Sequence, residues 1–330
     1  MSYFIGVDGG NTKTIAFVST SGGSILGAAR SGCSDIYGAA SAADALEQIK
    51  LAVEIALERA GLQSVDIEAS YFCLAGADWP EDYAFLDTAI SRFGFGRKIT
   101  IGNDSLGALR AGTPDGTGVV ITCGTGIATA ARNAEGLFWQ SGFWQESLCG
   151  IELGKLALRA VYRSELGIDS PTALTTLVLN HFGQNSVEAL LHRFWNREAA
   201  PPTSGEVSKL APIVLNAAEA GDIAAEGIVQ DHGVRLAEYA IVAAHKVHLN
   251  SPSFPLILNG GIFRHPGQKL IQAIINHLRP IYPHVTPIRS RFEPVVGALL
   301  LALETAGIII TDDIIGKLEY SLPSPELFLT

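Results

Sequence analysis

Two carboxylates sit where chemistry on a phosphate group needs them. Asp8 closes the apolar run Phe4-Ile5-Gly6-Val7, Gly9-Gly10 follow at once, and Asn11-Thr12-Lys13-Thr14 lead into a second apolar run from Ile15. Glycines in such a turn can take positive φ and let an anion approach backbone N–H groups. The next four residues offer amide, hydroxyl and ammonium donors, and a carboxylate fixed at a strand end can hold a hydrated Mg²⁺ against phosphate oxygens. These features point to a bound nucleotide. The second carboxylate, Asp104, follows Gly102-Asn103 at the end of a short apolar segment. There it can accept the proton of an attacking hydroxyl or cap a helix over 105–110; the two roles are compatible. Phosphoryl transfer needs little covalent help, so metal, backbone donors and one orienting carboxylate supply most of the stabilisation. No GxxxxGK[ST] occurs, and a strand rather than a helix follows the glycines, so this is not a P-loop.

The elements that must position these residues follow from periodicity. Strands are expected at 4–8, 15–18 and 24–30 as an antiparallel meander, then a helix capped by Ser41 with Asp44 and stopped by Gly61. A strand at 67–74 is apolar enough to be covered on both faces, a helix runs over 81–93, and a strand occupies 98–101. In such α/β sheets ligands gather where strands end, and Asp8, Ala75-Gly76 and Asn103-Asp104 all lie at such ends. Thr113-Pro114-Asp115-Gly116 is a turn and the expected boundary between domains 1–114 and 115–330. Beyond it the opening theme returns: a strand at 118–122, then Cys123-Gly124-Thr125-Gly126, then a strand at 127–132. The echo suggests two related half-domains that grip one polyphosphate from opposite sides. Helices fill 146–248, and after a strand at 255–258 the glycines of Asn259-Gly260-Gly261 would let backbone lie against a planar base or ribose.

A net charge of -10 argues against nucleic acid as a partner, and 48% hydrophobic against 17% charged residues marks a globular chain. The apolar stretch 295–310 is interrupted by Glu304 and Gly307 and falls short of the ~20 residues of a membrane span, so a buried helix is expected. Asp8 comes too early for a signal peptide, and Cys33, Cys73, Cys123 and Cys149 form no CxxC pair, so reduced thiols and a cytoplasmic location are expected.

Together, DGGNTKT at 8–14, ND at 103–104, CGTG at 123–126, NGGIFR at 259–264 and PVVGALLLAL at 294–303 resemble the N-acetylglucosamine kinase branch of the actin-like sugar kinases, a group also described as BadF/BadG/BcrA/BcrD-type ATPases. The resemblance spans nearly the whole chain. It implies an α/β fold of two actin-like (ribonuclease H-like) domains around an ATP/sugar cleft. The second domain carries extra helices, and the last helices pack back on the first. It implies ATP and Mg²⁺ as cofactors, a small-molecule sugar as substrate, a sugar 6-phosphate as product and a homodimer. On this resemblance Asp8 is the metal residue and Asp104 the catalytic one. Gly9 to Thr14, Gly124, Thr125, Gly126, Gly260 and Gly261 bind the nucleotide, and Asp35, Gly76, Asn103, Asp104, Trp144 and Glu146 meet the sugar. Asp35 stands where the family usually has Asn, and 142–152 lacks the usual Gly-Asp-Glu-Gly-Ser, with Trp144 keeping an aromatic wall. Asp35 and Glu146 would favour an amino-sugar cation. A sensor of the same fold, or an ATPase activator of a radical dehydratase, are the alternative readings.

Overall fold

The computed structural model describes residues 2–124 and 126–328. The chain divides into two compact units, 1–120 together with 290–330, and 121–289. Compared with a single cut after residue 114, the boundary moves to 120 and residues 290–330 count with the first unit.

In the first unit, β1 (Tyr3–Gly9) pairs antiparallel with β2 (Thr14–Thr20), and β2 with β3 (Ile25–Ser31). Helix α1 (Ala42–Ala60) begins where the Ser41 side chain accepts from the Asp44 N–H at 3.1 Å and ends at Gly61, left-handed at φ 66°. It leads to β4 (Ile67–Leu74), parallel to β1. Helix α2 (Pro80–Ser91) then leads to β5 (Lys98–Asn103), parallel to β4, and α3 (Asp104–Gly112) starts directly from its end. The strand order is β3-β2-β1-β4-β5. Period-two alternation sends Ile5, Val7 and Phe72 into one core with α1, and Phe4, Ile15, Phe17 and Ala69 into another on the opposite face. Burial on both faces is why β1 and β4 read as nearly unbroken apolar runs.

The second sheet runs in the order β10 (Thr286–Arg289), β9 (Pro255–Asn259), β6 (Gly118–Cys123), β7 (Ile127–Arg132) and β8 (Phe138–Gln140). A helical block follows: α4 (Gly150–Glu165), α5 (Leu174–Phe182), α6 (Val187–Trp195), α7 (Ser204–Ser208), α8 (Ala211–Glu219) and α9 (Ile223–Lys246). The periodic stretch around 206–220 is two helices, because Pro212 has no N–H to continue a helix and fits only the first turn of α8. Next come β9 (Pro255–Asn259), α10 (Lys269–Leu278) and β10 (Thr286–Arg289).

The chain then returns to the first unit as α11 (Pro294–Thr305) and α12 (Asp312–Tyr320). Val295, Val296, Leu299, Leu300 and Leu303 of α11 seal the face that Phe4, Ile15 and Phe17 present, each such side chain contributing about 1.5–3 kcal/mol on burial. The same helix also meets α3 closely: a Cβ at Gly297 would sit 1.9 Å from the Gly107 carbonyl oxygen of α3, leaving room for glycine alone. After α12, residues 321–328 run back over β2 and β3. The Ile25 N–H donates to the Ser321 hydroxyl at 2.9 Å, and the Phe328 ring meets Phe17 edge-on at 6.2 Å. No described helix is long and apolar enough to cross a membrane.

Candidate active site

Parallel pairing carries the expected residues of the first unit to one edge. Gly9, Leu74 and Asn103 lie in a single row across β1, β4 and β5, with Asp8, Cys73 and Gly102 in the row behind. The Gly9 carbonyl accepts from the Ala75 N–H at 2.7 Å, so the strand end turns directly into Gly76, and a Cβ there would stand 2.8 Å from an Asp35 carboxylate oxygen. Asp8, Asp35, Gly76, Asn103 and Asp104 are therefore neighbours.

Asn103, not Asp104, caps α3: its side-chain oxygen accepts from the Ser105 N–H at 3.0 Å. Its amide nitrogen donates to the Ala77 carbonyl at 3.3 Å and to Asp78 Oδ1 at 3.2 Å. Buried at 2% exposure, Asn103 thus serves the scaffold, and Asp104 is left as the first helical residue with its carboxylate uncommitted to capping. Burial first, then the charge of Asp78, pushes Asp104 up to about 6, with Asp35 adding and the Ser105 N–H and hydroxyl opposing. Asp8 is pushed up to about 7 by burial, then by Asp104, with Lys13 opposing and Glu293 adding. Asp78 and Glu293 were not singled out in the sequence; the one signal was their place, Asp78 beside a strand-end glycine and Glu293 just before the proline that opens α11.

The turn after β1 differs in detail from expectation. The Gly10 N–H donates to the Lys13 carbonyl at 2.9 Å, closing it, and neither Gly9 nor Gly10 has positive φ. Gly9 is required for space instead, since a Cβ would lie 2.4 Å from the Ser34 hydroxyl and 2.6 Å from Leu74. Asn11 and Thr12 are exposed at the tip, with Asn11 Oδ1 accepting from the Cys33 thiol at 3.6 Å. Thr14 points inward, fully buried, and its hydroxyl donates to the Gly32 carbonyl at 2.8 Å, so it is a β2–β3 tie rather than a phosphate donor. The Lys13 ammonium donates to the Phe328 carbonyl.

In the second unit the two glycine motifs form one feature. Gly260 has φ 97°, and a Cβ on it would stand 2.4 Å from the Cys123 carbonyl oxygen; a Cβ on Gly124 would stand 3.9 Å from the Gly261 nitrogen. Glycine is needed at 260 both for its backbone angle and for this contact. The Gly124 N–H donates to the Gly126 carbonyl at 2.9 Å; Thr125 lies outside the described residues. Trp144 is 75% exposed in a short 3₁₀ turn. Glu146 is held by a bidentate ion pair with Arg235 of α9, with Nε at 2.9 Å from Oε1. That pair lowers the Glu146 pKa, chiefly through the hydrogen bonds from Arg235, so Glu146 brings no unmatched charge for an amino-sugar cation. Nearby on α9, burial pushes His232 down to about 4, with the Arg235 charge acting in the same direction.

Residues 5–302 match the BadF/BadG/BcrA/BcrD ATPase family. The chain belongs to that family. Its relatives include the N-acetyl-D-glucosamine kinase of Dictyostelium discoideum, 26% identical over 92% of this chain and 98% of that one. The N-acetylmuramic acid/N-acetylglucosamine kinase of Clostridium acetobutylicum is 27% identical over 92% and 98%. A solved structure from Chromobacterium violaceum, provisionally named an N-acetylglucosamine kinase, shares the fold with a TM-score of 0.65. It is 24% identical and covers 92% of this chain and 99% of that one.

For this BadF/BadG/BcrA/BcrD-type ATPase, the donor set at the β1, β4 and β5 ends bears on metal and proton chemistry. No group of three His, Cys, Asp or Glu that could hold a metal occurs among the described residues. A Mg²⁺ carried by a nucleotide needs no such cage, since one or two carboxylates, phosphate oxygens and water suffice. Asp8 fits that need: the like charges around it disfavour its ionised form, and a cation would relieve them. Asp104 fits a base that must be ionised near neutral pH yet still take a proton.

Proposed function

We propose that the protein is an ATP-dependent sugar kinase transferring the terminal phosphoryl group to the 6-hydroxyl of an amino sugar of the N-acetylglucosamine or glucosamine class. The observation that carries the reading is Asp104 itself, a carboxylate just past the end of β5, close enough to Asp8 to raise its pKa, with its own pKa raised and relieved of capping by Asn103. In this scheme Asp104 orients the sugar hydroxyl and accepts its proton as the oxygen attacks phosphorus. The exposed turn at Asn11 and Thr12, closed behind by the Gly10–Lys13 hydrogen bond, and the Lys13 ammonium stabilise phosphate oxygens, and on the family resemblance the Gly124–Gly126 and Gly260–Gly261 turns bind the nucleotide. Asp8 would hold Mg²⁺, which when bound neutralises phosphate charge. Asp35, Asp78 and Asp104 make the sugar side acidic, which supports a protonated amine over an acetamide. The four cysteines are thiols, in keeping with a cytoplasmic enzyme, and the family resemblance adds a homodimer.

The test is ADP release over a panel of hexosamines, muramic acid derivatives and plain hexoses, with Asp104→Asn as control. Release that depends on an amino sugar and vanishes in the variant supports the reading. Sugar-independent ATP hydrolysis, or no turnover with any of them, overturns it in favour of a sensor.

A further inference from the structure

The loop between β3 and α1 is fastened to α2 by a bond that the proposed reaction does not use. Asp35 turns this loop sharply: its Oδ1 accepts from the Tyr37 N–H at 2.9 Å, and its carbonyl accepts from the N–H groups of Gly38 and Ala39 at 3.1 and 2.9 Å. From that turn the Tyr37 hydroxyl donates to Asp82 Oδ1 at 2.9 Å, in the first turn of α2. Asp82 is buried, and its other oxygen accepts from the N–H groups of Trp79 at 2.8 Å and Asp78 at 3.3 Å. The same stretch, 77–79, receives the Asn103 amide through the Ala77 carbonyl and Asp78 Oδ1. One carboxylate therefore holds both the loop of Asp35 and the turn that steadies the cap beside Asp104.

Packing does not account for the tyrosine. Tyr37 is 53% exposed, so its ring buries little apolar area, and what it supplies is a hydroxyl for one of the stronger kinds of hydrogen bond, that to a carboxylate. The bond to Asp82 pushes the Tyr37 phenol up to about 12, which keeps it a donor at neutral pH. The bond also acts at one end of the loop. At the other end the Ser34 N–H donates to the Gly10 carbonyl at 3.0 Å and the Gly32 N–H to Gln48 Oε1 at 2.7 Å, so the side next to the nucleotide turn has ties of its own. At the Tyr37 end the loop brings Asp35 to the strand ends, where Gly76 leaves it space: a Cβ there would stand 2.8 Å from Asp35 Oδ1.

We propose that Tyr37 is a positioning residue for the sugar: its hydroxyl, fixed on Asp82, sets how the Asp35 carboxylate stands at the strand ends and so how strongly an amine is preferred to an acetamide. The proposal rests on the kinase reading in assigning Asp35 to the sugar, and it adds a determinant of substrate choice that acts through Asp35.

The test is a double-mutant cycle on the full chain with Tyr37→Phe, Asp35→Asn and the pair. It is read as the ratio of kcat/KM for glucosamine to that for N-acetylglucosamine, as KM for ATP, and as equilibrium binding of both sugars by calorimetry. Tyr37→Phe keeps the ring and removes only the hydroxyl. It should lower the ratio by roughly threefold or more, with KM for ATP unchanged, and should move the ratio no further in the Asp35→Asn background. Tyr37→Leu should do no more than Tyr37→Phe; a loss in the leucine variant with none in the phenylalanine variant would show that the ring matters and not the hydroxyl, and overturns the proposal. An equal shift by Tyr37→Phe in both backgrounds, or a rise in KM for ATP and sugar together, would show a structural role only and overturns it as well. Sugar-dependent turnover with an unchanged ratio in Tyr37→Phe overturns the proposal while leaving the kinase reading intact. Sugar binding that follows the predicted cycle in a protein with no turnover supports the positioning role and removes the kinase reading instead. A wild-type chain that binds neither sugar removes both.

Discussion

Replacing Asp8 with Asn should make the nucleotide-free protein more stable at neutral pH while removing its activity. A carboxyl whose folded pKa lies above its unfolded value binds its proton more tightly when folded. Its contribution is therefore fully present below the unfolded pKa and is lost as pH rises through the folded one. For Asp8 that window runs from 3.8 to about 7. The gap is roughly three pH units, and at 1.36 kcal/mol per unit it caps the destabilisation by ionised Asp8 at about 4 kcal/mol. Its accessible surface makes Asp8 only partly buried, so solvent screening reduces the expected gain of Asp8→Asn to about 1–2 kcal/mol at pH 8. Urea melts of both proteins at pH 4, 6 and 8, without nucleotide or Mg²⁺, measure it. The two curves should lie close together at pH 4 and separate in favour of the variant by pH 8. A variant equally or less stable at pH 8, or an advantage independent of pH, would refute the assignment of Asp8 as a carboxylate held against its environment.

Asp104→Asn should lower kcat by about 10²- to 10⁴-fold with ATP analogue binding retained, and wild-type kcat/KM should fall as pH drops through about 6, where the base takes up its proton; a flat profile between pH 5 and 8 speaks against the role. Asp35→Asn should shift the ratio of kcat/KM for glucosamine to that for N-acetylglucosamine toward the acetylated sugar by about tenfold, the worth of one charge-assisted hydrogen bond; an unchanged ratio would remove Asp35 from substrate choice. Gly297→Ala should destabilise the protein by about 2 kcal/mol or more in a urea melt, since its Cβ would meet the Gly107 carbonyl at 1.9 Å; a variant of wild-type stability would show that α11 and α3 can separate at little cost.

Local signals in the sequence were dependable where one residue type has one reason to be present. Ser41 with Asp44 and the stop at Gly61 bound α1 as expected, and the apolar run of β4 is covered on both faces because helices lie on each. The site was legible as far as strand ends go, since Asp8, Gly76 and Asp104 converge for the topological reason given. What strand order alone does not reveal is which way a side chain turns and who meets it. Thr14 looked like a phosphate donor because it closes a polar run, yet the alternation of β2 points it inward. Asn103 took the cap that Asp104 was eligible for, because the residue preceding the first helical turn has the extended backbone from which a side chain can reach the Ser105 N–H. The partner of Glu146 lies 89 positions away on α9, and one acceptor of the Lys13 ammonium is a main-chain carbonyl, which carries no residue type to read.

The return of α11 to the first sheet has a consequence for how the molecule is made. While the ribosome synthesises the 169 residues from 121 to 289 that separate the first unit's two segments, one side of that sheet, with Phe4, Ile15 and Phe17 upon it, has nothing to lie against. At translation rates of 5–20 residues per second that interval is roughly ten to thirty seconds. Nascent chains arrested before residue 294 should accordingly be captured by holdase chaperones, and those arrested after α11 has emerged should escape them.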